Sequence, residues 1–122
     1  MAYYQQPNAI VELSFRFALK IVRYTSILEA NRRYVIARQL LRSGTSVGAN
    51  IRESQNAESK ADFVHKLKIS AKEAGETEYW LMLCRESDYG YCEDLIADCR
   101  IIIKVLSRII ATTKNTYLKK NK

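Results

Sequence analysis

Few residues in this 122-residue chain could do chemistry, and each has a plain structural alternative. Asp62-Phe-Val-His65 sets a carboxylate and an imidazole at i and i+3, the spacing of half a di-iron motif in a helical bundle. Such a site needs two His-containing motifs and the chain has one histidine, so no metal is expected and His65 is read as an exposed or rim residue. Cys84, Cys92 and Cys99 are odd in number and lack CxxC spacing, which argues against a disulfide framework and against zinc. Three reduced, mostly buried thiols are expected instead. Glu78 falls within the helical arc of Phe63, Leu67, Ala71, Ala74 and Leu81. A lone buried carboxylate is costly unless paired, so Glu78 is expected either to bond to an arginine or hydroxyls of another helix or to reach water through helix curvature. With no Ser, His or Cys arrangement beside it, general acid-base or nucleophilic catalysis has nothing to act with. We assign no catalytic residue, no metal and no cofactor, and read the chain as a non-enzyme.

The stretch LLRSGTSVGANIRES, residues 40–54, raises a sharper alternative, because two glycines four apart could cradle a phosphate. A Walker loop needs a lysine directly after its last glycine and then Ser or Thr for magnesium; here Ala49 and Asn50 follow Gly48. A wheel started at Ile36 instead places Ile36, Leu40, Gly44, Val47 and Ile51 within about 80°, with Arg38, Arg42 and Arg52 opposite. The apolar phase survives the glycines, so one helix from the early thirties to about Ser54 is expected. Two interior glycines cost it roughly 1 kcal/mol each against alanine. Close approach of a neighbouring helix at Gly44 and Gly48 is the usual compensation. Ser43, Ser46 and Asn50 form a polar strip on a third side, able to bond to a partner helix or to water.

Charge supplies the better functional signal. The net charge is +7 and unevenly placed: residues 1–57 carry eight Lys/Arg against three acids, 58–89 five against seven, and 90–122 seven against three. Arg16, Lys20 and Arg23 line the first helix, Arg38, Arg42 and Arg52 the second, and Arg100, Lys104 and Arg108 the fourth, each set within about 80°. Lysine and arginine on wet helix faces are ordinary, but few acids share these faces, so salt bridging is not expected to use the charge up. Repeated in an oligomer, the ridges would form a positive track for phosphates. Eight tyrosines could serve as stacking platforms for bases, although tyrosine at a bundle edge more often packs its ring and leaves its hydroxyl wet.

The elements that position these residues are long helices, since one proline and four glycines leave little room for turns. Pro7-Asn8 marks the start of a first helix over about 9–25, with Glu12, Arg16, Lys20 and Arg23 as its wet face. A turn follows within 25–31, and helix two starts either at the capping-box pattern Ser26-Ile-Leu-Glu29 or at Asn31. Ser59-Lys-Ala-Asp62 caps helix three, whose core line is Phe63, Leu67, Ser70, Ala74, Thr77, Leu81 and Cys84. Ser87-Asp-Tyr-Gly90 is a turn. Helix four follows with Leu95, Cys99, Ile102, Leu106 and Ile109, then a frayed basic tail over 114–122. Short links between amphipathic helices predict an all-α, antiparallel up-down four-helix bundle spanning 1–122 as one domain, with 1–8 as a lead-in. Helix one is apolar over about 240°, much wider than a lone bundle needs, which implies a second packing surface. Phe15 and Leu19 on helix one, and Ile69, Trp80 and Leu83 across from the core line of helix three, are the interface candidates, Trp80 being either an intersubunit anchor or an edge-of-core residue. No run approaches the ~20 apolar residues of a membrane span. MAYYQQPNA carries no export signal, so a cytoplasmic protein without membrane contact is expected.

QLLRSGTSVGANIRES, followed by DFVHKLKISAKEAGETEYWLMLC, resembles the bacterial family known simply as four-helix bundle protein, whose members were first noticed in the intervening sequences of large-subunit ribosomal RNA genes. The accessory variability determinant of diversity-generating retroelements is a more distant relative. The resemblance covers about residues 9–110. It implies a homopentameric barrel of bundles with no known catalytic activity and, for the retroelement relative, binding of nucleic acid and of a reverse transcriptase. The expectation is therefore a self-associating accessory factor that binds nucleic acid. The alternative is a protein-interaction scaffold whose charge serves solubility or an acidic protein partner.

Overall fold

A computed structural model describes residues 9–120, with side chains as far as Thr116. The expected lead-in at 1–8 with its Pro7-Asn8 cap, the side chains of 117–120, and residues 121 and 122 lie outside the described residues. Four helices, α1 (Ala9–Ala30), α2 (Tyr34–Ser54), α3 (Lys60–Glu86) and α4 (Glu93–Lys120), follow one another through short turns. Each packs against its chain neighbours and α4 closes back on α1, giving an antiparallel up-down four-helix bundle; the α1–α4 seam is the thinnest. Phe17, Ile21, Leu28, Leu40, Val47, Ile51, Leu67, Leu81, Ile96, Ile102 and Leu106 form its core.

The thin segment of α2 is unbroken helix, pressed against α1. A Cβ at Gly44 would sit 2.8 Å from Ile21 Cγ2 and 2.9 Å from Cγ1, and one at Gly48 would sit 3.3 Å from the Ser14 carbonyl oxygen. At Gly44 no side chain fits; at Gly48 even a methyl group would press tightly on Ser14. On its other flank α2 meets α3 through hydroxyls. Ser70 Oγ donates to the Val47 carbonyl at 2.8 Å, and the hydroxyls of Thr77 and Ser43 lie 2.9 Å apart. Ser46 and Asn50, expected on the same polar strip, turn back onto their own helix, donating to the carbonyls of Arg42 and Ser46. At the start of α3 the Ser59 hydroxyl accepts from the Asp62 N–H, a cap worth about 1 kcal/mol.

Three expectations about helix ends are corrected. α1 runs to Ala30, so neither proposed start of α2 exists. Ser26 lies inside α1 with its hydroxyl donating to the Val22 carbonyl, and the Asn31 side chain donates back to Ile27. α2 begins at Tyr34 behind Arg33, which offers no side-chain cap. α4 continues to Lys120, so the segment from Lys114 is helical as far as that residue, since no glycine or proline interrupts it.

α1 and α3 end in the same device. In α1 the Arg32 N–H donates to Glu29 O and the Arg33 N–H to Leu28 O; in α3 the Asp88 N–H donates to Arg85 O and the Tyr89 N–H to Cys84 O. This pairing is the Schellman motif, whose left-handed residue is usually glycine. Here it is Arg32, at φ 63°, and Asp88, at φ 58°. Asp tolerates that conformation through its short polar side chain, whereas arginine bears the ordinary cost of roughly 1–2 kcal/mol. Because α1 and α3 run in the same direction, both turns lie at one end of the bundle. The Arg33 guanidinium, 4.2 Å above the Tyr89 ring, joins them. Gly90, at φ 135°, supplies the carbonyl that accepts from the buried Tyr24 hydroxyl at 3.1 Å.

Candidate functional site

All nine expected basic-face residues are exposed, but the charge is partly used. Arg16 pairs with Glu12 on its own helix, Lys20 with Asp98 of α4 at 2.7 Å, Arg42 with Glu73 and Glu76 of α3, and Arg100 with Glu78 of α3 at 2.5 Å. The expectation that salt bridging leaves these faces alone therefore fails for four of the nine. For Arg42 and Arg100 the reason is geometric: α3 brings its carboxylates between two basic helices, whereas Lys20 meets Asp98 across the α1–α4 seam and Arg16 meets Glu12 on its own wet face. Glu73 and Glu76 reach one way to α2, and Glu78 reaches the other way to α4. Glu78 is thus the paired carboxylate, with its side chain a quarter exposed at the rim of the core. Arg23, Arg38, Arg52, Lys104 and Arg108 make no ion pair among the described residues.

One cationic feature was missed by reading each helix alone. Lys68 of α3 and Lys114 of α4 face each other closely enough that the Lys68 ammonium holds Lys114 below the usual lysine range. Arg100, Lys104 and Arg108 stand as a ridge at steps of four along α4, and Lys114, about 120° round the helix from Arg108, adds a flank to it on the side of Lys68. Basic residues at i, i+4 and i+8 announced part of this ridge; the contact across 46 positions had no sequence signal.

The interface candidates divide in two. Phe15 is 55% and Leu19 42% exposed, and Val22, 45% exposed, continues them at i+7, so the three cover about 60° of α1 facing away from the core. Ile69, Trp80 and Leu83 are only half-exposed. Trp80 packs against the core cluster, donates its indole N–H to Glu76 at 3.0 Å and meets Tyr79 edge-on. That indole bond, followed by Arg42, holds the Glu76 carboxyl below the usual range against the opposing effect of desolvation. In the described chain Trp80 is an edge-of-core residue. His65 is exposed, and Asp62 serves the α3 cap.

Cys84, Cys92 and Cys99 are free and buried, with the Cys92 and Cys99 thiols donating to the Leu81 and Ala74 carbonyls. Burial pushes Cys84 up to about 11 and Cys99 up to about 12, and raises Cys92 as well. These are not nucleophiles near neutral pH. An unfolded thiol ionises near pH 8.5, so above that pH the unfolded chain binds fewer protons than the folded one and stability must fall. Melting temperature is expected to be flat from pH 7 to about 8 and to decline from about 9 towards 11–12, each thiol contributing up to ~1.4 kcal/mol per pH unit. Melts across that range check this, and Cys99→Ala should make the decline shallower.

No helix among the described residues is long and apolar enough to cross a membrane. No match is found among curated proteins. A crystal structure of a protein with unknown function from the S23 ribosomal protein family, from Bacteroides thetaiotaomicron, is similar to this chain at 44% identity and a TM-score of 0.80, over 83% of this chain and 97% of that one. The profile of the 23S rRNA-intervening sequence proteins matches residues 6–110, which takes in all of α1, α2 and α3 and the packed part of α4. The chain belongs to the 23S rRNA-intervening sequence protein family.

Proposed function

We propose that the protein acts without catalysis, as a self-associating helical bundle that binds nucleic acid along the basic face of α4. The observation that carries the reading is the exposure of Arg100, Lys104 and Arg108 along one face of α4, with Lys104 and Arg108 in no ion pair among the described residues. Like charges held together without an intervening acid raise the energy of the free protein, and a phosphate between them removes that repulsion. The exposed stripe Phe15, Leu19, Val22 supports self-association through α1, in the five-fold arrangement that the family resemblance implies, in a cytoplasmic setting.

Binding to generic RNA and DNA, titrated with salt, tests this. Tight binding at low salt that weakens steeply as salt rises is expected, and replacing Lys104, Arg108 and Lys114 by glutamine should flatten the slope of log K against log salt by about 2–3 for a duplex. Absence of binding at low salt would reject the reading. It would favour the scaffold alternative, to which the pairing of Arg16, Lys20, Arg42 and Arg100 lends support, since those charges already serve cohesion of the bundle.

A further inference from the structure

At the end of the bundle where α1 and α3 stop, an open cleft of about 480 Å³ is lined by Arg32, Arg33, Tyr34, Ile36, Trp80 and Tyr89 among others. Its volume lies in the ~300–1,000 Å³ range of small-molecule sites. Two cations line it and no carboxylate does. Arg32 holds a left-handed backbone position that glycine would fill without strain, and its side chain makes no hydrogen bond or ion pair among the described residues. A strained residue whose side chain does nothing for the fold points to a use outside it. The Arg33 guanidinium carbon lies 4.2 Å over the Tyr89 ring centroid, and its side-chain N–H groups have no hydrogen-bond partner among the described residues. Tyr34, 52% exposed, and half-exposed Trp80 add aromatic surface.

Guanidinium groups beside aromatic faces match a phosphate joined to a flat heterocycle; an acidic peptide would use the cations but not the rings. We propose that this cleft holds one unpaired nucleotide of a nucleic-acid strand, its base against Trp80 and Tyr34 and its phosphate on Arg32 and Arg33. The proposal rests on the nucleic-acid reading above and adds to it a site for a single-stranded element.

Trp80 is the sole tryptophan, so its emission reports on this cleft alone. Titration with a short single-stranded oligonucleotide is expected to quench it; a fully paired duplex, an abasic strand of equal length and poly-glutamate should leave it nearly unchanged. Arg32→Gly should raise the melting temperature and weaken single-strand binding about tenfold, and Tyr34→Ala should weaken it without loss of fold. A purely structural role for Arg32 predicts the first effect without the second. Binding that stays salt-dependent by anisotropy while Trp80 emission does not change would overturn the cleft and leave the α4 ridge standing. Equal quenching by abasic strand or poly-glutamate would also overturn the cleft, and no binding of any nucleic acid would overturn both.

Discussion

Gly44→Leu is expected to lower unfolding free energy by about 3 kcal/mol, a drop in melting temperature on the order of 12 °C for a domain of this size. The site is closed from α1. Even a methyl group would lie 2.8 Å and 2.9 Å from two carbons of Ile21, a side chain with no exposed surface and so nowhere to retreat. Leucine adds three further carbons to that overlap. The gain in helix propensity, about 1 kcal/mol, opposes the loss without offsetting it. Gly75→Ala is the control. Nothing lies within 4 Å of a Cβ there, so the same propensity gain should appear as added stability. Coupling gives a second check: Ile21→Ala is damaging alone, but combined with Gly44→Leu it should cost less than the two losses summed, because one supplies the space the other needs. Urea unfolding of the four variants measures all of this, and an unchanged midpoint for Gly44→Leu would place that position in water.

The other large effect concerns assembly. Substituting both Phe15 and Leu19 by glutamate is expected to weaken self-association at least about a hundredfold while leaving each chain folded. Neither side chain contributes to the core, so the fold has little to lose. An interface on this apolar stripe would have to desolvate two carboxylates per chain, or fail to form. Light scattering at micromolar concentration should show the wild type as an oligomer and the variant as a monomer. The melting temperature of the wild type should rise with protein concentration and that of the variant should not. A monomeric wild type would remove the basis for the proposed assembly.

Much of the bundle was legible in the sequence because each helix carries its own periodic record. The wheel from Ile36 to Ile51 crossed the glycines without losing phase, the Ser59-Asp62 pattern gave the start of α3, and the line from Phe63 to Cys84 is the buried or half-buried face it promised. Where α1 ends was not legible, because its left-handed residue is an arginine and nothing in residues 26–33 distinguishes Arg32 from its neighbours. Ser26 imitates a cap only because a serine inside a helix can donate to the carbonyl four residues back. The candidate site was less legible still. Whether Arg42 or Arg100 is a free cation depends on carboxylates 31 to 34 and 22 positions away, and the Lys68–Lys114 approach depends on the register of α3 against α4. Wheels describe one helix at a time; these relations belong to pairs.

The last fully buried side chain of α4 is Leu106, and from Ala111 the helix continues for ten residues, about 15 Å, with Thr113 alone half-covered through Thr116. This run is an exposed margin laid beside the start of α3, where Lys68 meets Lys114. Its first two turns receive almost nothing from tertiary packing and rest on their own backbone hydrogen bonds and residue propensities. Changes to exposed residues there should be felt locally and hardly transmitted inward. This margin is where the protein can be retuned in charge without renegotiating the interior.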